Sequence, residues 1–226
     1  MIELLDNPVY NALLTGDKPL SFGDNHVKYF QEEVSPYVGF AHEYEKGFEN
    51  LHEIFTTGRK ILYANPSRIQ IPAGWLLQQE IKGLQFVYKG SGQIEIDFPN
   101  IVPLSYEHVP QMVQLAKLTK PGPFDNKTID FGYYFGIFDL DKLVAMTGQR
   151  LHVVNCTEIS AVCTHPNYLG RGYANSLLQH QLQIILQHGQ LPFLHVREDN
   201  ARAISLYERL GFEVSRPMNF YFMKRQ

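Results

Sequence analysis

A chain of 226 residues with 44% apolar and 13% aromatic side chains is long enough for one large domain or two small ones, and too apolar for a disordered segment. A formal net charge of -3 gives no reason to expect a nucleic-acid partner. The longest apolar runs fall far short of the roughly 18 residues of a membrane span, and "MIELLDNPVY" lacks the basic and apolar regions of a secretory signal, so the chain reads as soluble and cytoplasmic, with no membrane partner.

The first hundred residues are sparsely marked. A helix is expected at "GFENLHEIF", with strands near "KILYAN", "GWLLQQ" and "LQFVYKG", and turns at Pro66, Pro72 and Gly83. From Ile101 onward the periodicity switches clearly. "IVPL" is a strand, and "SYEHVPQMVQLAKL" a helix with Ser105 as cap and Pro110 in its first turns. "GYYFGIF", the turn "DLDK" and "LVAMTGQRLHV" make a hairpin, and "CTEISAVCT" adds a third antiparallel strand.

A glycine-rich loop, "HPNYLGRGYA", then leads into a helix over Tyr173 to His188, with Leu177, Leu178, Leu182, Ile185 and Leu186 on one face and Gly189 at its end. "LPFLHVR" is the next strand. Asn200 caps "ARAISLYERL", which Gly211 closes, and the pair "FEVSR" and "NFYFMKR" completes the sheet. Cys156 and Cys163 lie seven apart in one strand, which puts them on opposite faces and argues against a disulfide. The histidines and cysteines show no metal-ligand spacing.

A strand, a glycine turn and a helix start point several backbone N–H groups one way, at the positive end of the helix dipole: an anion site. Gly170 and Gly172 permit positive φ there, and Arg171 adds a cation. The last sixty residues, 167 to 226, carry seven Lys/Arg against four Asp/Glu. A Walker loop would need Lys and a hydroxyl after Gly172, and neither is present. A dinucleotide fingerprint fits poorly, because Asn175 stands at its third glycine position and six residues separate Cys163 from Gly170.

Leu169-Gly170-Arg171-Gly172-Tyr173-Ala174 resembles the Gln/Arg-x-x-Gly-x-Gly/Ala loop of the GNAT acyltransferase superfamily, which wraps the pyrophosphate of coenzyme A. Asn200-x-x-Ala203-x-x-x-Tyr207-x-x-x-Gly211-Phe212 resembles its second cofactor motif, and with the element order the likeness covers Ile101 to Arg225. "AVCTHP" and "FLHVREDNARAISLYERLGF" are most similar to the branch that includes glycine N-acyltransferase-like proteins. One position departs: Leu169 stands where the superfamily has Gln or Arg, which predicts altered affinity rather than lost binding.

The resemblance implies an α/β (α+β) fold, a mixed, mainly antiparallel sheet flanked by helices, with residues 99–226 as the catalytic domain and 1–98 as a second lobe that is a degenerate copy of it. It implies acetyl-CoA or coenzyme A as cofactor and transfer of a short acyl group to the amine of a small molecule or amino acid by direct attack. The alternative is an acyl-CoA-binding sensor that transfers nothing. Backbone N–H groups at Val162, Cys163 and Thr164 would polarise the thioester, and Asn200 would contact the pantetheine arm while capping its helix.

Glu158 is the candidate base, against a reading in which it faces solvent or pairs with an arginine. Strand alternation groups it with Ser160, Val162 and Thr164. Tyr207 matches the family's general acid, and it also belongs to its helix's apolar stripe. Cys163 as a nucleophile, and His165 and His195 as bases, weigh less than their readings as buried structural residues. Lys117 and Lys120, in the expected substrate loop, either meet an acceptor carboxylate or are solvated.

Overall fold

The computed structural model of the protein describes residues 2–90 and 100–226, so the expected division at 98 and 99 lies outside the described residues. In chain order the elements are α1 (Pro8–Leu14), β1 (Phe22–Gly23), β2 (Val27–Tyr29), β3 (Tyr37–Phe40), α2 (Gly47–Ile54), β4 (Lys60–Asn65), β5 (Trp75–Tyr88) and β6 (Val102–Pro103). They continue with α3 (Val109–Thr119), β7 (Phe135–Asp139), β8 (Lys142–Val153), β9 (Cys156–Thr164), α4 (Tyr173–Gln187), β10 (Leu191–Arg197), α5 (Ala201–Arg209) and β11 (Phe212–Arg225).

These strands form one mixed sheet in the order β1-β2-β3-β4-β11-β5-β10-β9-β8-β7-β6. Its two halves repeat a plan. In the first, the antiparallel β1, β2 and β3 are followed by α2 and by β4, which runs parallel to β3. In the second, the antiparallel β7, β8 and β9 are followed by α4 and by β10, which runs parallel to β9.

Each half then receives a strand from the other. Residues 83–88 of β5 fill the sheet between β10 and β11, and residues 219–224 of β11 pair with β4. The expectation of two short strands on either side of Gly83, and of two more after Phe212, is therefore corrected: each is a single fourteen-residue strand crossing both halves. Gly83 is not at a turn. A Cβ there would come within 2.7 Å of the Phe220 ring and 2.8 Å of the Val196 carbonyl, so a glycine lets three strands approach.

One face of the sheet packs on α1 and α3 through a cluster that includes Val9, Leu13, Met112, Met146 and Phe193. The other packs on α4 and α5 through Leu178, Leu182, Ile185 and Tyr207, and on α2 through Leu51. The periodic leucines of α4 explain its docking: burial of each is worth about 1.5–3 kcal/mol.

Two irregularities shape the site. β9 and β10 pair at only three positions, ending at Phe193 opposite Glu158, although both strands run on to Thr164 and Arg197. They splay from that point and open a cleft. On its other side β9 slips register against β8 between the Met146–Cys163 and Gly148–Ser160 pairs, where Ala161 takes φ +53°. This bulge shifts alternation by one residue. Cys156 and Cys163 thus share the α1/α3 face rather than opposite faces, both as free thiols, and Val162 falls on the face opposite Glu158.

Candidate active site

The splay opens into a cleft of about 880 Å³ whose wall includes Glu158, Val162, Thr164, Gly170, His195 and Tyr207. Leu169 to Ala174 of the glycine loop and Asn200, Ala203 and Tyr207 of the second motif contribute to that wall, whereas Gly211 and Phe212 of that motif do not.

At the loop, Pro166–Tyr168 forms a single 3-10 turn capped by the ring of His165, which accepts from the Asn167 N–H at 3.2 Å. His165 is thereby a structural cap. Gly170 and Gly172 take φ +80° and +82°, and a Cβ on either would meet nothing within 4 Å. Glycine is required here for backbone conformation, not for room. Gly172 is the N-cap of α4 and supplies no capping side chain, so the helix presents its first N–H groups to the cleft mouth. Arg171 stacks its guanidinium 4.8 Å from the ring centre of Tyr168, whose hydroxyl donates to Asp139 at 2.6 Å. Arg202 and Arg209 of α5 line the same cleft. Leu169 is 47% exposed and adds no polar group.

Asn200 accepts from the Ala203 N–H at 3.2 Å and so caps α5, which carries Tyr207. Tyr207 packs its ring near Phe86 and Phe212, its hydroxyl has no partner among the described residues, and burial pushes its pKa up to about 12. Cys163 also lines the cleft, but burial raises its thiol to about 12, against the hydrogen bonds from Thr119 and Met146. It is no nucleophile at neutral pH.

Glu158 sits at the apex of the splay, 1% exposed. Arg150, opposite it on β8, donates Nε to Oε2 at 2.9 Å and Nη2 to Oε1 at 2.8 Å. The guanidinium also lies 4.8 Å from the ring centre of Tyr37, from β3 of the other half. Burial would raise the Glu158 carboxyl, but the charge and hydrogen bonds of Arg150, with the hydrogen bond from His195, outweigh it and hold the pKa at about 2. Tyr37 itself is pushed up to about 12 by burial.

His195 Nδ1 lies 2.8 Å from Glu158 Oε1, and its Nε2 lies 3.1 Å from Gln85 Nε2. Gln85 also donates Nε2 to the Leu5 carbonyl at 2.9 Å. That carbonyl accepts only, so it fixes which end of the amide is nitrogen, and the second N–H points at the imidazole. The ring is then neutral, with its proton on Nδ1 and donated to Glu158.

Glu158 and His195 stand out separately in the sequence, and nothing in it joins them. An arginine partner for Glu158 is among its readings without singling out Arg150, which the β8/β9 hairpin sets eight residues away. Gln85 and Tyr37 do not stand out there. Gln85 arrives by pairing with His195, 110 residues distant, and Tyr37 by the contact of its ring with Arg150, and no local pattern marks either. Lys120 lines the cleft and is exposed, whereas Lys117 is exposed outside it.

The model of the FR47-like protein family matches residues 134–221. A solved GNAT-family protein of Novosphingobium aromaticivorans is 30% identical and superposes with a TM-score of 0.90 over 98% of each chain. A GCN5-related N-acetyltransferase of Kribbella flavida shares the fold at 16% identity, with a TM-score of 0.64 over 96% of this chain and 94% of that one. Against an acetyltransferase of Yersinia pestis, 51 residues are 43% identical; they are 22% of this chain and span 36% of the relative. Among the described residues no helix is long and apolar enough to cross a membrane. With the full-length match at 30% identity and the splayed strands, bulge and glycine loop in place, the chain belongs to the GNAT acetyltransferase superfamily.

Proposed function

We propose that the protein transfers an acetyl or other short acyl group from acyl-CoA to the amine of a small molecule, in the manner of the glycine N-acyltransferase-like branch. The observation that carries this reading is the convergence in one cleft of the open-ended α4 loop, the bulged edge of β9, and the Glu158–His195 and Tyr207 side chains. The loop suits a pyrophosphate: positive-φ glycines, uncapped N–H groups, empty space where side chains would stand, and arginines around it. Acetyl-CoA, when bound there, supplies an acyl group activated as a thioester. The repeated strand order supports reading residues 1–98 as a second copy of the fold that narrows the acceptor side of the cleft.

The side chains divide the chemistry as follows. An alkylammonium has a pKa near about 10, so its proton cannot pass to a carboxylate held at about 2 without an uphill cost of roughly 11 kcal/mol. Glu158 therefore serves as a fixed negative charge. Three of its four acceptor positions are taken by Arg150 and His195, and the fourth, on Oε2, is left for an approaching N–H or a water that carries the proton away. Backbone N–H groups beside the Ala161 bulge face the cleft edge that β10 vacates and stabilise a developing oxyanion. Tyr207, with its pKa near 12, keeps its proton and donates a hydrogen bond to a departing thiolate rather than surrendering it outright.

Two observations favour a second reading, binding without transfer: Glu158 is held in an ion pair, and Leu169 brings no polar group to the loop. Calorimetric titration with acetyl-CoA, followed by thiol release in the presence of amines, separates the two. Transfer predicts saturable binding and release that Glu158→Gln and Tyr207→Phe each slow by about 100-fold with binding retained. Binding with no release for any amine supports the sensor.

A further inference from the structure

The acceptor side of the cleft has a chemical character of its own, and the inference drawn from it rests on the transfer reading above. Phe220 of β11 stands opposite Ile81 of β5, Phe222 opposite Leu62 of β4, and Leu62 opposite Tyr37 of β3. All five line the cleft, on the face that carries His195 and Glu158. The Phe220 ring lies edge-on 5.4 Å from that of His195, and the Tyr37 ring meets Arg150 at 4.8 Å, so this apolar floor begins where the charged apex ends. It exists because the halves exchange strands, bringing residues 37, 62, 81, 220 and 222 side by side.

Charge is absent from this floor. Arg150 and Glu158 are bonded to each other at the apex, beyond the floor, and His195 is held between Glu158 and Gln85. Of the other ionic groups lining the cleft, Arg171, Arg202 and Arg209 belong to the glycine loop and α5, Arg197 on β10 is paired with Asp199 at 2.7 Å, and Lys120 is exposed on the loop that rims the floor. A carboxylate or second ammonium on the acceptor would have to be desolvated against aromatic and aliphatic side chains without a partner. An apolar ring or chain would instead gain by leaving water.

We infer that the acceptor is a primary amine on an apolar, ring-sized body with no second charge, the amine reaching Glu158 while the body lies on Ile81, Leu62, Phe220 and Phe222. The test compares 2-phenylethylamine with phenylalanine, which adds a carboxylate, with 1,4-diaminobutane, which adds an ammonium, and with ethanolamine, which lacks the apolar body. Thiol release and calorimetric binding of each amine in the presence of coenzyme A are both read. Expected is kcat/KM for 2-phenylethylamine at least about tenfold above the others, with a loss of about tenfold in Phe222→Ala for that amine and little change for ethanolamine.

Preference for phenylalanine or the diamine, or equal turnover of all four, would overturn the class while leaving transfer intact. Selective binding of 2-phenylethylamine without thiol release from any amine would uphold the class and sink the transfer reading. Failure of 2-phenylethylamine to bind or react would overturn the class.

Discussion

His195 Nδ1 lies 2.8 Å from Glu158 Oε1, and this contact ties β10 to β9 at the point where the two strands part. It belongs to a chain that runs from the Leu5 carbonyl through Gln85, His195 and Glu158 to Arg150, so the amino-terminal segment and an exchanged strand hold the apex of a cleft formed 150 residues later. Three consequences of this chain are measurable, and the glycine loop adds a fourth.

The Gln85 amide fixes the ring's proton on Nδ1. Long-range proton–nitrogen correlation spectra at neutral pH are expected to show His195 as the Nδ1–H tautomer. In Gln85→Glu the new carboxylate accepts from Nε2, and the ring becomes doubly protonated. An Nε2–H tautomer in the wild-type protein would break the chain.

Glu158 has a folded pKa of about 2 against an ordinary 4.5, so its pairing stabilises the fold fully above about pH 4.5 and the benefit is lost as pH falls toward 2. Arg150→Met removes the partner and leaves a buried carboxylate. Urea unfolding at pH 7 should show a loss of about 3–5 kcal/mol that begins to narrow above pH 4.5, where the buried carboxylate without Arg150 takes up its proton, and goes on narrowing toward pH 2. A loss independent of pH would mean that packing, not charge, accounts for it.

A carboxylate already ionised throughout the working range cannot set the rise of activity with pH. That limb of kcat/KM is expected to follow the acceptor's own amine, moving by the pKa difference when two acceptors of different basicity are compared. A limb fixed in position for both would identify a titrating protein group instead.

In the loop, Gly170→Ala and Gly172→Ala each force a side chain into the left-handed region without a clash, at about 1–2 kcal/mol of strain. Thermal unfolding should shift modestly while affinity for coenzyme A falls by about tenfold or more, because relief of the strain reorients the N–H groups. Leu169→Arg, at a half-exposed position beside them, is expected to tighten coenzyme A binding severalfold. Unchanged affinity in all three would remove the loop from the binding site.

Much of this was legible in the sequence from Ile101 onward, for physical reasons. Hairpin strands, α4 and α5 are local structures, and the Cys156–Thr164 strand, the Asn200 cap and the Gly170–Gly172 turn carry their own signals in residue type and spacing. The bulge at Ala161 carried none, because alanine rarely takes positive φ, and it inverted the facing of every residue beyond it. Gly83 misled, since a glycine needed for close strand approach looks like a glycine needed for a turn. The exchange of β5 and β11, and with it Gln85, Tyr37 and the apolar floor, depends on pairings between distant segments that no window along the chain can contain.

The most direct test of the account is to incubate the protein with acetyl-CoA and an apolar primary amine and to measure acetylated amine by mass and free thiol in the same sample. One free thiol per acetylated amine is expected, saturable in both reactants. Tight binding of acetyl-CoA with no acetylated amine would contradict it and leave a protein that holds the cofactor without using it.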